Sequence, residues 1–114
     1  MEVPKNFLIV DDEMQSRMLI RKLLLRRSES SNILEADSVS AAIESINAFK
    51  PDLLFLDVQL REETGFDLLD RIAEMQIPVI FITGHSDYAV RAFRYHALDY
   101  LLKPVDPAEF ARHF

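Results

Sequence analysis

Four short, almost wholly apolar runs constrain this chain most: FLIV at 7–10, LLFL at 53–56, PVIFI at 78–82 and DYLL at 99–102. Each is too short for a globular helix and too continuous for a half-exposed strand, so each reads as a buried strand. A fifth and weaker run, NILEA, falls at 32–36. Between the runs the apolar spacing becomes helical, over 14–27, 39–49, 65–75 and 87–96, and a last helix starts near 107. Strand and helix therefore alternate five times, which predicts an α/β fold with a parallel sheet, helices on both faces and right-handed crossovers. At 114 residues, with no internal repeat or low-complexity tail, one domain spanning 1–114 is expected.

The helices carry finer expectations. In 14–27, Met14, Met18 and Leu25 are read as an apolar stripe widened by Leu19, Leu23 and Leu24. In 87–96, Tyr88, Arg91 and Tyr95 share one side, opposite a core-facing Val90, Phe93 and Ala97. The last helix has a clear start: Asp106 as cap, Pro107 at the first position and Glu109 placed to complete a capping box. Its apolar face ends on Phe110 and Phe114 with no Gly, Pro or polar finish. That ending predicts a truncated last helix and a domain cut from a longer chain.

Charge and composition narrow the function classes. Nineteen acidic against thirteen basic residues give a net charge of −6, which opposes direct binding to nucleic acid or an anionic membrane surface. The basic residues at 17, 21, 22, 26 and 27 alternate with apolar ones at helical spacing and read as a solvated helix face. The absence of cysteine excludes a disulfide framework and a thiol nucleophile. The start MEVPKNFLIVDDE has no signal-peptide pattern and FLIV is too short to span a membrane, so a soluble, cytoplasmic protein is expected.

In open sheets of this kind the functional crevice lies beyond the carboxyl ends of the strands. Those ends supply Asp11, Asp12 and Glu13 from the first strand and Asp57 from the third. Thr83 and Gly84 follow from the fourth, and Lys103 and Pro104 from the fifth. Carboxylates a few ångströms apart repel by roughly 4 kcal/mol per pair at an effective dielectric near 20, so this group calls for a cation. Oxygen ligands without nearby His or Cys favour magnesium, with manganese able to substitute, over zinc. A metal, the Lys103 ammonium and the Thr83 hydroxyl together suit the oxygens of a phosphoryl group, with Asp57 as the nucleophile.

Each residue alone has a plainer explanation. Asp57 can cap the turn after its strand, Asp11 and Asp12 can cap the first helix, Lys103 can be a solvated surface lysine and Thr83 an ordinary strand residue. Their joint placement at neighbouring strand ends is what the plainer explanations leave out. His85 and His96 lack partners at ligand spacing and read as loop or helix-end residues rather than metal ligands.

LIVDDE, LLFLDV, FITGH and DYLLKP, in this order and spacing, resemble the receiver domain of bacterial two-component response regulators, and the resemblance covers nearly the whole chain. It implies a flavodoxin-like (CheY-like) three-layer sandwich with strand order 2-1-3-4-5. It also implies roles: Asp57 as phosphorylated aspartate, Asp12 as direct magnesium ligand, Asp11 as its acidic partner through water, and Gln59 as ligand by its backbone carbonyl. Lys103 matches the lysine that pairs with the phosphoryl group, through a cis bond to Pro104. Thr83 and Tyr100 match the switch pair, and Gly84 the small residue that leaves the site open.

The implied partners are a sensor histidine kinase or phosphotransfer protein and a second copy of the domain. The second copy would meet the fourth helix, fifth strand and fifth helix, where Tyr88, Arg91 and Tyr95 lie. YAVRAFRYHALDYLLKPVDPAEF resembles the receivers of LytTR-type regulators, which implies an output domain that binds DNA and is absent here. One departure stands out: Arg61 occupies the place of the family's usual proline, four residues after the acceptor, while Gly65 is retained.

Three other readings fit less well. A haloacid-dehalogenase-like aspartyl-phosphate phosphatase needs a second Asp two residues after the first, where this chain has Gln59. An FMN module needs a Ser/Thr/Gly-rich phosphate loop, where DDEMQSR offers negative charge. A receiver used only as an unphosphorylated docking module would sit better with Asp12, Asp57 or Lys103 replaced, and all three are present.

Overall fold

The structure is a computed structural model that describes residues 5–114, with His113 described by its backbone alone. Residues 1–4, part of the stretch without a signal-peptide pattern, lie outside the described residues. Five parallel strands form one sheet: β1 (Asn6–Val10), β2 (Asn32–Ala36), β3 (Leu53–Leu56), β4 (Val79–Thr83) and β5 (Asp99–Leu102), in the order 2-1-3-4-5. The helices are α1 (Met14–Arg27), α2 (Val39–Phe49), α3 (Gly65–Arg71), α4 (Ala89–Arg94) and α5 (Pro107–His113). The fold class and strand order are those expected.

Alternate residues of the central strands feed two separate cores, as a sheet covered on both faces requires. Leu8, Val10, Leu54, Leu56 and Phe81 pack against Val39, Ala42 and Ile46 of α2, Phe66, Leu68 and Leu69 of α3, and Ala92 of α4. Phe7, Ile9, Phe55, Ile80 and Leu101 face the other way, onto Ile20, Leu23 and Leu24 of α1 and Phe110 of α5. Burying each such aliphatic or aromatic side chain contributes about 1.5–3 kcal/mol. NILEA was the weaker strand signal because β2 is an edge strand, in which Ala36 alone is buried.

Two faces differ from the sequence reading. Met14 and Met18 are 63% and 59% exposed and Leu25 lies outside the core, so the buried stripe of α1 is Ile20, Leu23 and Leu24. In α4 the orientation is reversed: Val90 and Phe93 are 68% and 54% exposed, while Tyr88 and Tyr95 pack on the core. Ala97 is buried as expected. The Tyr95 and Tyr88 rings lie 5.1 and 6.2 Å from Phe66, and the Arg91 guanidinium sits 4.2 Å over the same ring. Phe66, fully buried, accepts aromatic and cationic neighbours from one side, which takes the amphipathic Tyr and Arg side chains and leaves Val90 and Phe93 outside.

Helix ends also differ. The expected helix over 65–75 is α only to Arg71 and tightens into a 3-10 turn at Ala73–Met75 before Gln76 turns left-handed at φ 52°. Likewise, α4 is preceded by a 3-10 turn at Ser86–Tyr88 and closed by His96 at φ 62°, so His96 is a helix-end residue. Asp106 caps α5 by accepting the N–H of Ala108, one residue short of the Glu109 partner that a reciprocal box requires. The capping box forms instead at α3, between Thr64 and Asp67.

Candidate functional site

The sheet register gathers the polar residues. Val10 pairs with Leu56, so Asp11 and Asp57 leave adjacent strands side by side. Thr83 pairs with Leu102, so Lys103 emerges next to Thr83, and its N–H donates to the Thr83 carbonyl at 2.8 Å. The peptide between Lys103 and Pro104 is cis. Among the described residues, the buried polar side chains are Asp11, Asp57 and Thr83, all at these strand ends. LLFLDV thus delivers Asp57 into a buried crevice on a strand that is apolar because both its faces are covered.

The Lys103 ammonium is the hub. Its Nζ lies 2.8 Å from Asp57 Oδ2, 2.6 Å from Glu13 Oε1 and 2.9 Å from Asp11 Oδ2, with the side chain only 16% exposed. Burial by itself lowers an ammonium's pKa, but hydrogen bonds to Asp57 and Glu13 and the close Asp11 carboxylate outweigh it, and Lys103 is held above the ordinary lysine value. Burial pushes the Asp11 carboxyl above its ordinary value, against the hydrogen bond from the Glu13 N–H and the pull of Lys103.

Asp11, Asp12 and Asp57 each bring an oxygen within 4.8 Å of the others, which makes them the metal-capable group among the described residues. Neither His85 nor His96 belongs to it. Asp11 Oδ1 accepts the Glu13 N–H at 2.9 Å, yet the buried Oδ2 accepts no aligned hydrogen bond, although Lys103 lies within ion-pair distance. An under-satisfied buried carboxylate oxygen beside two further carboxylates is a set that a hard divalent cation fits. The Gln59 N–H donates to Asp57 Oδ1 at 3.3 Å, so the turn-capping explanation of Asp57 is also true; capping and clustering coexist.

The loop after Asp57 is a small antiparallel hairpin in which Gln59 pairs with Thr64 and Leu60 with Glu63. Arg61 opens its two-residue turn at φ 53°, a value closed to proline, so the chain's departure from the usual residue comes with a different backbone. The Arg61 N–H donates to Asp12 Oδ2 at 3.2 Å, and its guanidinium reaches Asp37 at 3.0 Å. Gly65 follows directly: its N–H bonds the Val58 carbonyl at 2.7 Å, and a Cβ there would lie 2.4 Å from the Asp57 carbonyl oxygen. Gly84, by contrast, has open space where a Cβ would stand.

Thr83 and Tyr100 meet at one residue, His85. The Thr83 hydroxyl accepts the His85 N–H at 3.4 Å, and the Tyr100 hydroxyl donates to the His85 carbonyl. Tyr100 lies beside Phe81, and burial raises its phenol above the ordinary value.

Sequence reasoning placed Glu13 at the strand ends without giving it a role, and it missed Asp37 and Arg17. Glu13 is a full partner of Lys103, and its position after the acidic pair was a visible signal. Asp37, at the end of β2, carried none. Arg17, read as part of a solvated face, is mostly buried: it bonds Glu35 at 3.0 Å and the Asp11 carbonyl at 2.7 Å, bracing the acidic loop together with the Arg21–Glu35 pair.

An acidic trio with Asp11 and Asp57 buried and Asp12 half-buried, a lysine on a cis X-Pro bond and a 2-1-3-4-5 sheet define a receiver, and the profile of the response regulator receiver domain matches residues 7–114. The chain belongs to that family, whose members act in phosphorylation-dependent signalling and bind magnesium at an acidic pocket. Among curated relatives, the sensory transduction protein LytT of Bacillus subtilis is 46% identical over 101 residues, covering 87% of this chain and 42% of LytT. LytT of Enterococcus faecalis is 41% identical over the same shares. These relatives agree with the LytTR-type reading, and the chain spans about two-fifths of their length. Among solved structures, the receiver domain of NtrX from Brucella abortus superposes with a TM-score of 0.83 at 32% identity, covering 93% of this chain and 92% of that one. Among the described residues no helix is long and apolar enough to cross a membrane.

Proposed function

We propose that this domain takes a phosphoryl group from a phosphohistidine of a sensor kinase or phosphotransfer protein onto Asp57 and relays it as a change of surface. The observation that carries the proposal is the Lys103 hub, which holds Asp57 beside Asp11 and Asp12 in a buried pocket at the strand ends. An Asp57 carboxylate oxygen attacks phosphorus, the bond from phosphorus to the imidazole nitrogen breaks, and the imidazole leaves. Asp11, Asp12, Asp57 and the Gln59 carbonyl are the residues that would hold magnesium. When bound, the ion offsets the carboxylate charge and polarises the phosphoryl oxygens. The Lys103 ammonium pairs with a phosphoryl oxygen in place of its present carboxylate partners. The cis bond to Pro104 belongs to the turn from which Lys103 reaches the site. Open space at Gly84 leaves the donor's approach clear.

The relay runs through Thr83 and Tyr100. A phosphoryl oxygen on Asp57 offers the Thr83 hydroxyl a charged acceptor, which competes with its weak contact to the His85 N–H. His85 is also the acceptor of Tyr100, so that exchange reaches β5 and the start of α4. The surface that would respond carries Val90, Phe93 and Leu102, all exposed, and these join Tyr88, Arg91 and Tyr95 as the anchors for a second copy or an output domain. In the parent protein the output would be a C-terminal DNA-binding domain controlling transcription.

The test is a titration of the chain with beryllofluoride and magnesium, followed by NMR of the Thr83 and His85 amides and by sedimentation. Magnesium-dependent shifts at both amides, absent in Asp57→Asn, are expected, with dimerisation that Phe93→Asp abolishes. Shifts confined to the acidic loop would contradict the relay, and dimerisation indifferent to Phe93 would contradict the surface.

A further inference from the structure

We infer that Arg61 is a positioning residue for metal binding: it latches the hairpin over the acceptor so that Asp12 and Gln59 are held ready to ligate. The inference rests on the reading of the acidic trio as a magnesium site. Arg61 holds the loop at two independent points. Its backbone N–H bonds Asp12 Oδ2 at 3.2 Å, and its guanidinium bonds Asp37 at 3.0 Å, tying the hairpin to the segment after β2. The Asp12 carboxylate so held is the one that already brings an oxygen within 4.8 Å of those of Asp11 and Asp57. The latched conformation is therefore the one that can take a metal, and the latch favours ligation rather than blocking it.

The same hairpin fixes Gln59, whose pairing with Thr64 sets the direction of its peptide group and whose N–H bonds Asp57. Two expected ligands thus depend on one turn, whose first residue is Arg61. The turn carries a conformational cost: φ 53° is disfavoured for a residue with a Cβ other than Asn or Asp, and the contacts to Asp12 and Asp37 offset it. Proline at this position would have neither the N–H nor the accessible φ. Pre-ordering by Arg61 replaces whatever stiffness a proline ring supplies.

The test measures magnesium affinity of the chain without any phosphodonor, by NMR titration of the Asp12 and Gln59 amides. The double variant Arg61→Asn with Asp37→Asn keeps the N–H, tolerates the left-handed φ and leaves net charge unchanged, so it removes only the tether. An affinity about two- to five-fold weaker is expected, the range of one exposed ion pair. The charge-swapped pair Arg61→Asp with Asp37→Arg should return to within about twofold of the original. Arg61→Pro, which also loses the bond to Asp12, should weaken binding by about tenfold or more. A purely structural role would lower thermal stability in these variants and leave magnesium affinity alone, and that result would overturn the inference. Failure of the unaltered chain to bind magnesium would instead overturn the metal-site reading, and this inference with it.

Discussion

Gly65→Ala is a one-carbon change whose effect can be worked from the geometry. The added Cβ would stand 2.4 Å from the Asp57 carbonyl oxygen and 3.0 Å from the Leu56 side chain, where ordinary contacts begin near 3.4 Å. The first turn of α3 and the strand end must therefore part by about 1 Å, and overpacking of that kind costs about 1–3 kcal/mol. Alanine's better helix propensity returns less than about 1 kcal/mol, since Gly65 is the first helical residue. The net expectation is a loss of about 1–2 kcal/mol, or about 4–8 °C in Tm for a domain of this size. The Gly65 N–H to Val58 bond must lengthen too, which displaces the backbone that carries Asp57. Urea denaturation and a phosphorylation time course should report both losses together. Gly84→Ala is the control: with open space around its Cβ it should stay within about 0.5 kcal/mol. Stability of Gly65→Ala equal to or above the unaltered chain would refute the close-approach reasoning.

Lys103→Met removes the cation shared by Asp57, Glu13 and Asp11, and should cost about 3 kcal/mol in urea denaturation, with millimolar magnesium recovering part of it. Arg17→Ala unties the Asp11 carbonyl from Glu35, and should cost about 2 kcal/mol and weaken magnesium binding in a calorimetric titration. The Thr64 N–H holds the Asp67 carboxyl below its ordinary value of 3.8, so its capping contribution is complete above the unfolded value and is lost as pH falls through the lower folded one. Asp67→Ala should therefore flatten the part of the acid-unfolding curve that lies below pH 3.8, read by circular dichroism.

Much of this structure was legible because backbone burial and topology are written in apolar runs. β3, β5, α1 and α2 begin and end at the residues where the apolar pattern changes. Strand-end carboxylates and Lys103 follow from the same runs, because a parallel sheet leaves its polar residues at one edge. Orientation about a helix axis was less legible. Met14 and Met18 are as apolar as Leu23 and Leu24, and only the placement of α1 over Phe7 and Ile9 decides which side is covered. In α4 the choice was made by Phe66, a residue on another helix, which draws Tyr88, Arg91 and Tyr95 to itself. The hairpin after Asp57 was hidden for a different reason: nothing in LREETG signals that Arg61 turns left-handed, because the contacts that hold it lie 49 and 24 residues away, at Asp12 and Asp37.

The most direct measurement is the intact mass of the chain after incubation with acetyl phosphate, with and without magnesium, for the unaltered protein and Asp57→Asn. One phosphoryl adduct is expected, dependent on magnesium, located on Asp57 and lost on treatment with hydroxylamine. No adduct on the unaltered chain, or an equal one on Asp57→Asn, would contradict the assignment of Asp57 as the acceptor.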